Sequence, residues 1–164
     1  MKNEMTSSIL GKLQQDEAIA DLWTSKEIEI PFFDNEVLPI TFMDFECEKD
    51  PTFSEEADRA LANFLQLNAS DRNELSAIVY KIYLNYLDIE GFDEADEPLR
   101  EISDKNNIWS FIQPTEISIS RLPDMKHDMY LSVYCDCDWE LENGIQFIFR
   151  KGKNLITICE QDNF

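Results

Sequence analysis

The chain has 164 residues, of which 34 are acidic and 14 are basic, for a formal net charge of −20. This length predicts a single domain over residues 1–164. Hydrophobic residues make up 43% and aromatic residues 12%, a composition that excludes a disordered chain. So negative a field disfavours nucleic acid and anionic membranes as partners. It would attract a basic protein, a cationic ligand or metal ions, although acidity also keeps proteins dispersed in solution.

Residues 1–17 contain no apolar run of the kind a signal peptide needs, and no later stretch approaches about 18 consecutive apolar residues. We therefore expect a cytoplasmic protein. In that compartment the four cysteines, Cys47, Cys135, Cys137 and Cys159, are expected as reduced thiols rather than disulfides.

The first strong pattern lies in residues 26–46, where two runs rich in β-branched and aromatic residues flank the turn-forming Asp34 and Asn35. This pattern predicts a β-hairpin. In its first arm Ile28 and Ile30 share one face and Glu29 the other, the period of a half-buried strand. Two prolines in this region cannot donate to a ladder, so part of the hairpin is predicted at a sheet edge.

The middle of the chain has helical periodicity. Ser54 is a candidate N-cap for a helix with an apolar stripe through Leu61 and Phe64, and Ser70 is a candidate N-cap for a second helix. The stripe of the second helix is broad enough to predict packing against a sheet. Residues 88–104 then carry eight acids and one arginine, which predicts an exposed acidic connection.

Strand signals return after residue 114, in residues 115–121, 129–137, 145–150 and 155–159, with predicted turns at Asn143-Gly144 and at residues 151–154. The last three strands are predicted to form an antiparallel meander. The fold class is therefore α+β, an antiparallel sheet built from the N-terminal hairpin and the C-terminal meander and covered by two central helices.

The stretch Cys135-Asp-Cys-Asp-Trp-Glu140 alternates thiols and an indole with carboxylates. In a strand, Cys135, Cys137 and Trp139 would face one side, and thiols on an apolar face most often pack as small hydrophobes. A zinc site is the alternative, with Cys159, Cys47 or His127 completing the ligand set. Carboxylates around these thiols argue against a redox role.

The opposite face of this strand would present Asp136 and Asp138, continuing into Glu140 and Glu142. Four carboxylates at one strand end could remain solvated, bind a hard cation, or receive lysine and arginine side chains from a protein. Catalytic equipment is otherwise sparse. The chain has one histidine, His127, and its four glycines are too far apart for a phosphate-binding loop.

Two segments carry a resemblance, Leu10-Gly-Lys-Leu13 with Leu22-Trp23 to Phe33, and Cys137-Asp-Trp-Glu-Leu-Glu-Asn-Gly144 with the Gly-Lys turn that follows. Together they resemble small bacterial domains of unknown function that end in a Cys-x-Trp-Glu-x-Glu-His-Gly stretch. Asn143 stands where those domains have histidine. The resemblance implies that residues 9–14 form a strand, and it suggests an immunity protein, because similar acidic domains occur beside bacterial toxin genes.

These observations predict a non-enzymatic binding protein, with no cofactor, that engages a basic protein and inhibits it in the manner of an immunity protein. The predicted contact residues are Asp136, Asp138, Trp139, Glu140 and Glu142, together with Asp93, Glu94, Asp96 and Glu97 of the acidic connection. The alternatives are a metal-binding or carboxylate-based enzyme centred on residues 136–142, and an orphan structural module. Oligomeric state has no signal in the sequence.

Overall fold

The computed structural model describes residues 4–46, 49–90, 102, 104–121 and 127–160, with the backbone alone at 88–90. The strands are β1 (Met5–Ser7), β2 (Gly11–Gln15), β3 (Trp23–Thr24), β4 (Ile28–Ile30), β5 (Glu36–Leu38), β6 (Ile40–Phe42), β7 (Ile112–Arg121), β8 (Met129–Cys137), β9 (Glu140–Arg150) and β10 (Asn154–Glu160). The α-helices are α1 (Phe53–Leu65), α2 (Ala69–Glu74) and α3 (Ser76–Glu90). Two 3-10 helices span Pro31–Phe33 and Lys105–Phe111.

Eight strands form one sheet in the order β1-β2-β3-β6-β7-β8-β9-β10, and β4 with β5 forms a separate two-stranded sheet. The pair β6 and β7 is parallel, with Ile40 opposite Ile117, and the other pairs of the large sheet are antiparallel. The three α-helices lie in the connection from β6 to β7, as a parallel crossover requires. The predicted α+β class and the sheet shared by N- and C-terminal strands are thus confirmed.

The predicted hairpin is confirmed over residues 28–38. Residues 31–35 connect its strands. The last two of them, Asp34 and Asn35, have φ angles of 56° and 63°, a left-handed conformation that Asp and Asn adopt more readily than most residues. Ile30 is buried and Glu29 exposed, as the alternation predicted. The strand signal after the turn divides into β5, which completes the hairpin, and β6, which joins the large sheet. The resemblance also anticipated β2, which begins at Gly11 rather than at residue 9.

Helix α1 begins at Phe53, after Thr52, so the predicted start at Ser54 is wrong by two residues. Its apolar stripe is buried as predicted, with Leu61 and Phe64 fully covered. The buried carboxylate of Asp58 ties the helix to the turn between β1 and β2, where it accepts hydrogen bonds from the Ser7 hydroxyl and the Ser8 amide and hydroxyl.

The second predicted helix divides into α2 and α3. Asn68, rather than Ser70, caps α2, because its side chain accepts from the backbone N–H of Ser70 and Asp71 while the Asp71 carboxylate accepts from the Asn68 N–H. Helix α2 ends at Glu74, Leu75 is its C-cap, and α3 begins at Ser76. Buried side chains on α3 include Val79, Tyr83 and Leu87. Within the described ranges, α3 and the other helices are too short or too polar to cross a bilayer.

The core is an aromatic cluster between the sheet and the helices. Phe32 lies at its centre, with its ring centroid 5.4 Å from Phe64, 5.8 Å from Phe149 and 6.2 Å from Trp109. Rings at these separations prefer tilted and edge-to-face contacts, which add to the free energy gained from burial. The 3-10 helix that carries Phe32 therefore links the small hairpin to helix α1 and to strand β9.

The turn between β9 and β10 packs directly on α1. Gly152 has a φ of +73°, and a Cβ atom there would lie 1.8 Å from the carbonyl oxygen of Ala60. The Asn63 side-chain amide donates to the Lys151 carbonyl oxygen at 3.0 Å. This turn consequently needs glycine for both its backbone conformation and its close approach.

Candidate functional site

Strand β8 shows the predicted alternation. Cys135 and Cys137 are buried in the core, whereas Asp136 is exposed on the other face. Cys135 pairs with Pro114 of β7 and Ile145 of β9, so it lies in the interior of the sheet. The interpretation of the two thiols as core residues is confirmed.

Both thiols are held in the protonated form. Burial raises the pKa of Cys135 well above its ordinary value, with the negative charges of its neighbours adding to the effect. Burial likewise raises the pKa of Cys137 to about 12, with Glu140 and Asp138 adding to it. Because thiolate is the form that attacks electrophiles, burial and the raised pKa make both thiols poor nucleophiles.

The candidate zinc ligands do not converge. Cys159 pairs with Gln146 and accepts a hydrogen bond from its amide at 3.4 Å, on the face of the sheet opposite Cys135. His127 lies beyond the other end of β8, and Cys47 lies outside the described residues. Of the side chains that are described, no three His, Cys, Asp or Glu groups are placed to hold a metal ion.

The hairpin of β8 and β9 turns at Asp138 and Trp139, not at Asn143-Gly144 as the sequence predicted. Cys137 pairs with Glu140, whereas Cys135 pairs with Ile145, so residues 141–144 bulge out of the ladder. The positive φ of Gly144, 60°, falls inside this bulge. Glycine at a positive φ angle occurs in bulges as well as in tight turns, which explains why the Asn-Gly pair was predicted to be the hairpin turn.

Trp139 and Glu140, both predicted as partner contacts, are buried. The Trp139 ring packs on Tyr83 of α3 at a centroid distance of 5.5 Å. The Glu140 side chain folds back, and its Oε1 accepts the backbone N–H of Glu142 at 2.9 Å and of Asn143 at 3.2 Å. The two residues therefore hold the loop in place from its buried side. Their predicted assignment to an exposed contact surface is wrong.

The exposed end of this hairpin consists of Asp136, Asp138, Leu141 and Glu142, which we call the acidic tip. Leu141 is 86% exposed, the most exposed of the large hydrophobic side chains in the described structure. None of the three carboxylates has a lysine, arginine or histidine partner in the parts of the chain that are described. The tip thus combines an apolar side chain with three unpaired negative charges on a loop held by Glu140.

Four of the predicted contact residues, Asp93, Glu94, Asp96 and Glu97, lie outside the described residues. Their assignment stays a prediction.

At the opposite end of β8, carboxylates form ion pairs with an arginine. Arg121, at the end of β7, binds the carboxylates of Asp50 and Glu56 and donates to the Thr52 hydroxyl at 3.1 Å and to the His127 carbonyl at 2.9 Å. The hydrogen bond from Arg121 lowers the pKa of Asp50. This network closes the loops at that end of the sheet.

Two functional features escaped the sequence analysis. Leu141 was overlooked because strand alternation from Trp139 would bury it, and only the bulge turns it outward. The role of Arg121 depends on residues about 70 positions away in sequence, so no local pattern could reveal it. A lone leucine between two glutamates next to Asn-Gly is the one signal that could have indicated an exposed loop.

Comparison with known proteins places residues 9–164 within the family described as Domain of unknown function (DUF6985). No curated protein and no solved structure is significantly similar to the chain. The expectation of a family of unknown function is thereby confirmed, while its proposed C-terminal signature and its association with toxin loci stay predictions.

Proposed function

The chain belongs to the DUF6985 family, whose description carries no activity, and from its own residues we propose that it is a non-enzymatic binding protein whose acidic tip engages a basic protein. The observation that carries this proposal is the combination at the tip of three unpaired carboxylates with the exposed Leu141. Solvated negative charge alone would serve solubility, but an almost fully exposed leucine in the bulge that follows the hairpin turn would not.

Each component of the tip has a role in binding. Unpaired carboxylates steer a basic partner toward the tip and discriminate against acidic proteins. Leu141 offers apolar area to a pocket on the partner, where a buried anchor contributes most of the binding free energy. Glu140 holds the loop in place through the Glu142 and Asn143 amides, which lowers the entropy lost on association.

A finer proposal is that the partner is a toxin and that this chain is its inhibitor in the cytoplasm. A toxin that acts on nucleic acid must carry a basic surface to bind phosphates. An acidic protein bound there blocks that surface and gains affinity from the same charges. The acidic residues 93–97 would then extend the contact beyond the tip.

Affinity capture from native lysate, treated with nuclease and washed at low and high salt, tests the proposal. The wild-type chain is compared with the tip variant Asp136→Asn, Asp138→Asn, Glu142→Gln. Glu17→Gln, Glu27→Gln, Glu74→Gln is the matched control, because it neutralises three exposed acids elsewhere. We expect the wild type and the control to retain one basic protein that salt releases, and the tip variant to lose it.

Two outcomes would contradict the proposal. Equal capture by the wild type and the tip variant would place the interface elsewhere. Clean monomeric protein that retains nothing would favour an orphan module. A single Leu141→Ser variant separates the apolar contribution to binding from the electrostatic one. It should weaken binding without changing the dependence of binding on salt.

A further inference from the structure

A cleft of about 380 Å³ opens beside the acidic tip. One wall is the start of β7, where Gln113 pairs with Asp136 and Pro114 with Cys135. The backbone N–H of Asp138 donates to the Phe111 carbonyl at 3.0 Å, so the tip and the cleft share one rigid frame. A protein bound to the tip would therefore lie close to the cleft.

The cleft is built from distant parts of the chain and is held firmly. Trp109 forms part of its lining, and its indole N–H donates to the Ser76 hydroxyl at 2.8 Å. The guanidinium carbon of Arg72 lies 5.4 Å from the centre of the Trp109 ring. Ligand pockets of this kind are largely preformed, and this volume is near the lower limit of their range of about 300–1,000 Å³.

The lining offers hydrogen-bond acceptors to a ligand. The Gln113 amide nitrogen donates to the Ser110 carbonyl at 3.5 Å, and the Ser110 hydroxyl donates to the Asn107 carbonyl at 2.8 Å. The amide oxygen of Gln113 and the lone pairs of Ser110 remain available. These acceptors, together with the carboxylate of Glu36, suit a ligand that brings its own hydrogen-bond donors.

The charge of the cleft also favours a cation. Arg72 binds Asp34 at 2.7 Å, and its side chain is only 11% exposed, so its positive charge is compensated. Its buried Nε has no hydrogen-bond partner among the described residues. Glu36 also lines the cleft, is exposed, and has no cationic partner among the residues described. One uncompensated negative charge therefore remains at the cleft.

We propose that this cleft receives a guanidinium or ammonium side chain of the basic protein that the acidic tip engages, with Glu36 as the counter-charge and Gln113 and Ser110 as acceptors. The proposal rests on the proposed function and sharpens it, because it assigns one arginine or lysine of the partner to a defined place. Arginine suits the site best, since its five N–H donors can reach a carboxylate and neutral acceptors together.

The test is a titration of the ¹⁵N-labelled chain with N-acetyl-arginine amide, N-acetyl-lysine amide and the neutral isostere N-acetyl-citrulline amide, at constant ionic strength. Reporters are the Trp109 indole and the Gln113 side-chain amide, with the buried Trp23 indole as internal reference. We expect saturable shifts from the two cations with a Kd on the order of 1–10 mM, as suits a single side chain. Citrulline amide should give none.

Glu36→Gln should weaken the binding of arginine amide by about fivefold or more, as expected for loss of a charged hydrogen bond. Glu29→Gln is the matched control, because it neutralises an exposed glutamate of the same small hairpin outside the cleft lining, and it should leave the Kd unchanged. Equal shifts from citrulline amide, shifts without saturation, or an unchanged Kd in Glu36→Gln would overturn the proposal.

Failure here is distinguishable from failure of the proposed function. If the tip variant loses its protein partner but no cation binds the cleft, the cleft proposal falls and the tip proposal stands. If arginine amide binds and depends on Glu36 while lysate capture yields nothing, the tip proposal falls and the cleft stands as a cation site.

Discussion

The two ends of strand β8 contain the same kind of residue in opposite roles. At the Met129 end, Asp50 and Glu56 are bound to Arg121, and Arg150 binds Asp128. At the Cys137 end, about 27 Å away for a strand of nine residues, the carboxylates of the acidic tip are exposed and unpaired in the described structure. Local pairing, not acidic composition, therefore separates carboxylates that stabilise the fold from those available to a partner.

The two ends of β8 also differ in packing, since the Met129 end is closely packed and the Cys137 end is exposed. The Met129 end is closed by Arg121 and by the turn that packs Gly152 on Ala60. At the Cys137 end, Trp139 and Glu140 are buried, and the side chains of residues 141–143 are exposed to solvent. Mutations at the Met129 end should consequently change stability, and mutations at the tip should change binding alone.

The largest loss of stability is expected from Gly152→Ala. Its Cβ would overlap the Ala60 carbonyl oxygen and add strain at positive φ, which should cost about 3 kcal/mol or more of the free energy of unfolding. Gly11→Ala is the control, because Gly11 has a φ of +74° with no atom within 4 Å and should cost about 1 kcal/mol. Urea unfolding measures the free energy of unfolding of both variants. An equal loss in the two would contradict the close packing of Gly152 on Ala60.

Arg121→Gln should destabilise the chain by about 2 kcal/mol, because it leaves two partly buried carboxylates without their charged donor. Arg59→Gln removes an ion pair with Glu55 in which both side chains are mostly exposed, and it should cost about 0.5 kcal/mol or less. Thermal unfolding of the two variants compares them. A similar shift in Tm for both would mean that the Arg121 network contributes no more than a surface pair.

The pH dependence of that network has a definite sign. Because Arg121 lowers the pKa of Asp50 in the folded chain, the contribution of this carboxylate is complete above the unfolded pKa of about 3.9. It is lost as the pH falls through the lower, folded value. The stability difference between the wild type and Arg121→Gln should therefore be constant between about pH 5 and pH 7 and shrink below about pH 4. A difference that grows on acidification would contradict this assignment.

The smallest effect is expected at the acidic tip. The tip variant Asp136→Asn, Asp138→Asn, Glu142→Gln breaks no ion pair of the described structure, so its free energy of unfolding should change by about 0.5 kcal/mol or less. Relief of repulsion between like charges would make the sign favourable. Urea unfolding beside Arg121→Gln tests the contrast, and a tip variant as unstable as Arg121→Gln would erase the distinction between the two ends.

Sequence reasoning succeeded where one local period decided the structure. The alternation in β8 placed Cys135 and Asp136 on their correct faces, and the α1 stripe through Leu61 and Phe64 was correct. It failed where a tertiary contact reset the pattern. The turn at Asp138 and the bulge that follows reversed the expected exposure of Glu140, since a shift in register moves side chains to the other face.

The candidate site was only partly accessible from the sequence. The sequence identified Asp136, Asp138 and Glu142 from their charge and from the strand period. A local pattern was sufficient because the three carboxylates lie close together along the chain. The cleft combines Glu36, Arg72 and Gln113, which only the folded arrangement brings together. No spacing rule connects such positions, so their proximity had to come from the three-dimensional structure.

The way Glu140 holds its loop has a consequence for how this protein can diversify. Its carboxylate binds backbone amides of residues 142 and 143, and every residue except proline carries such an N–H. The exposed positions 141 and 142 can thus change to residues other than proline with little cost in folding. Such a scaffold can acquire new binding specificities one substitution at a time, and its hairpin is a natural place to graft or randomise a recognition loop.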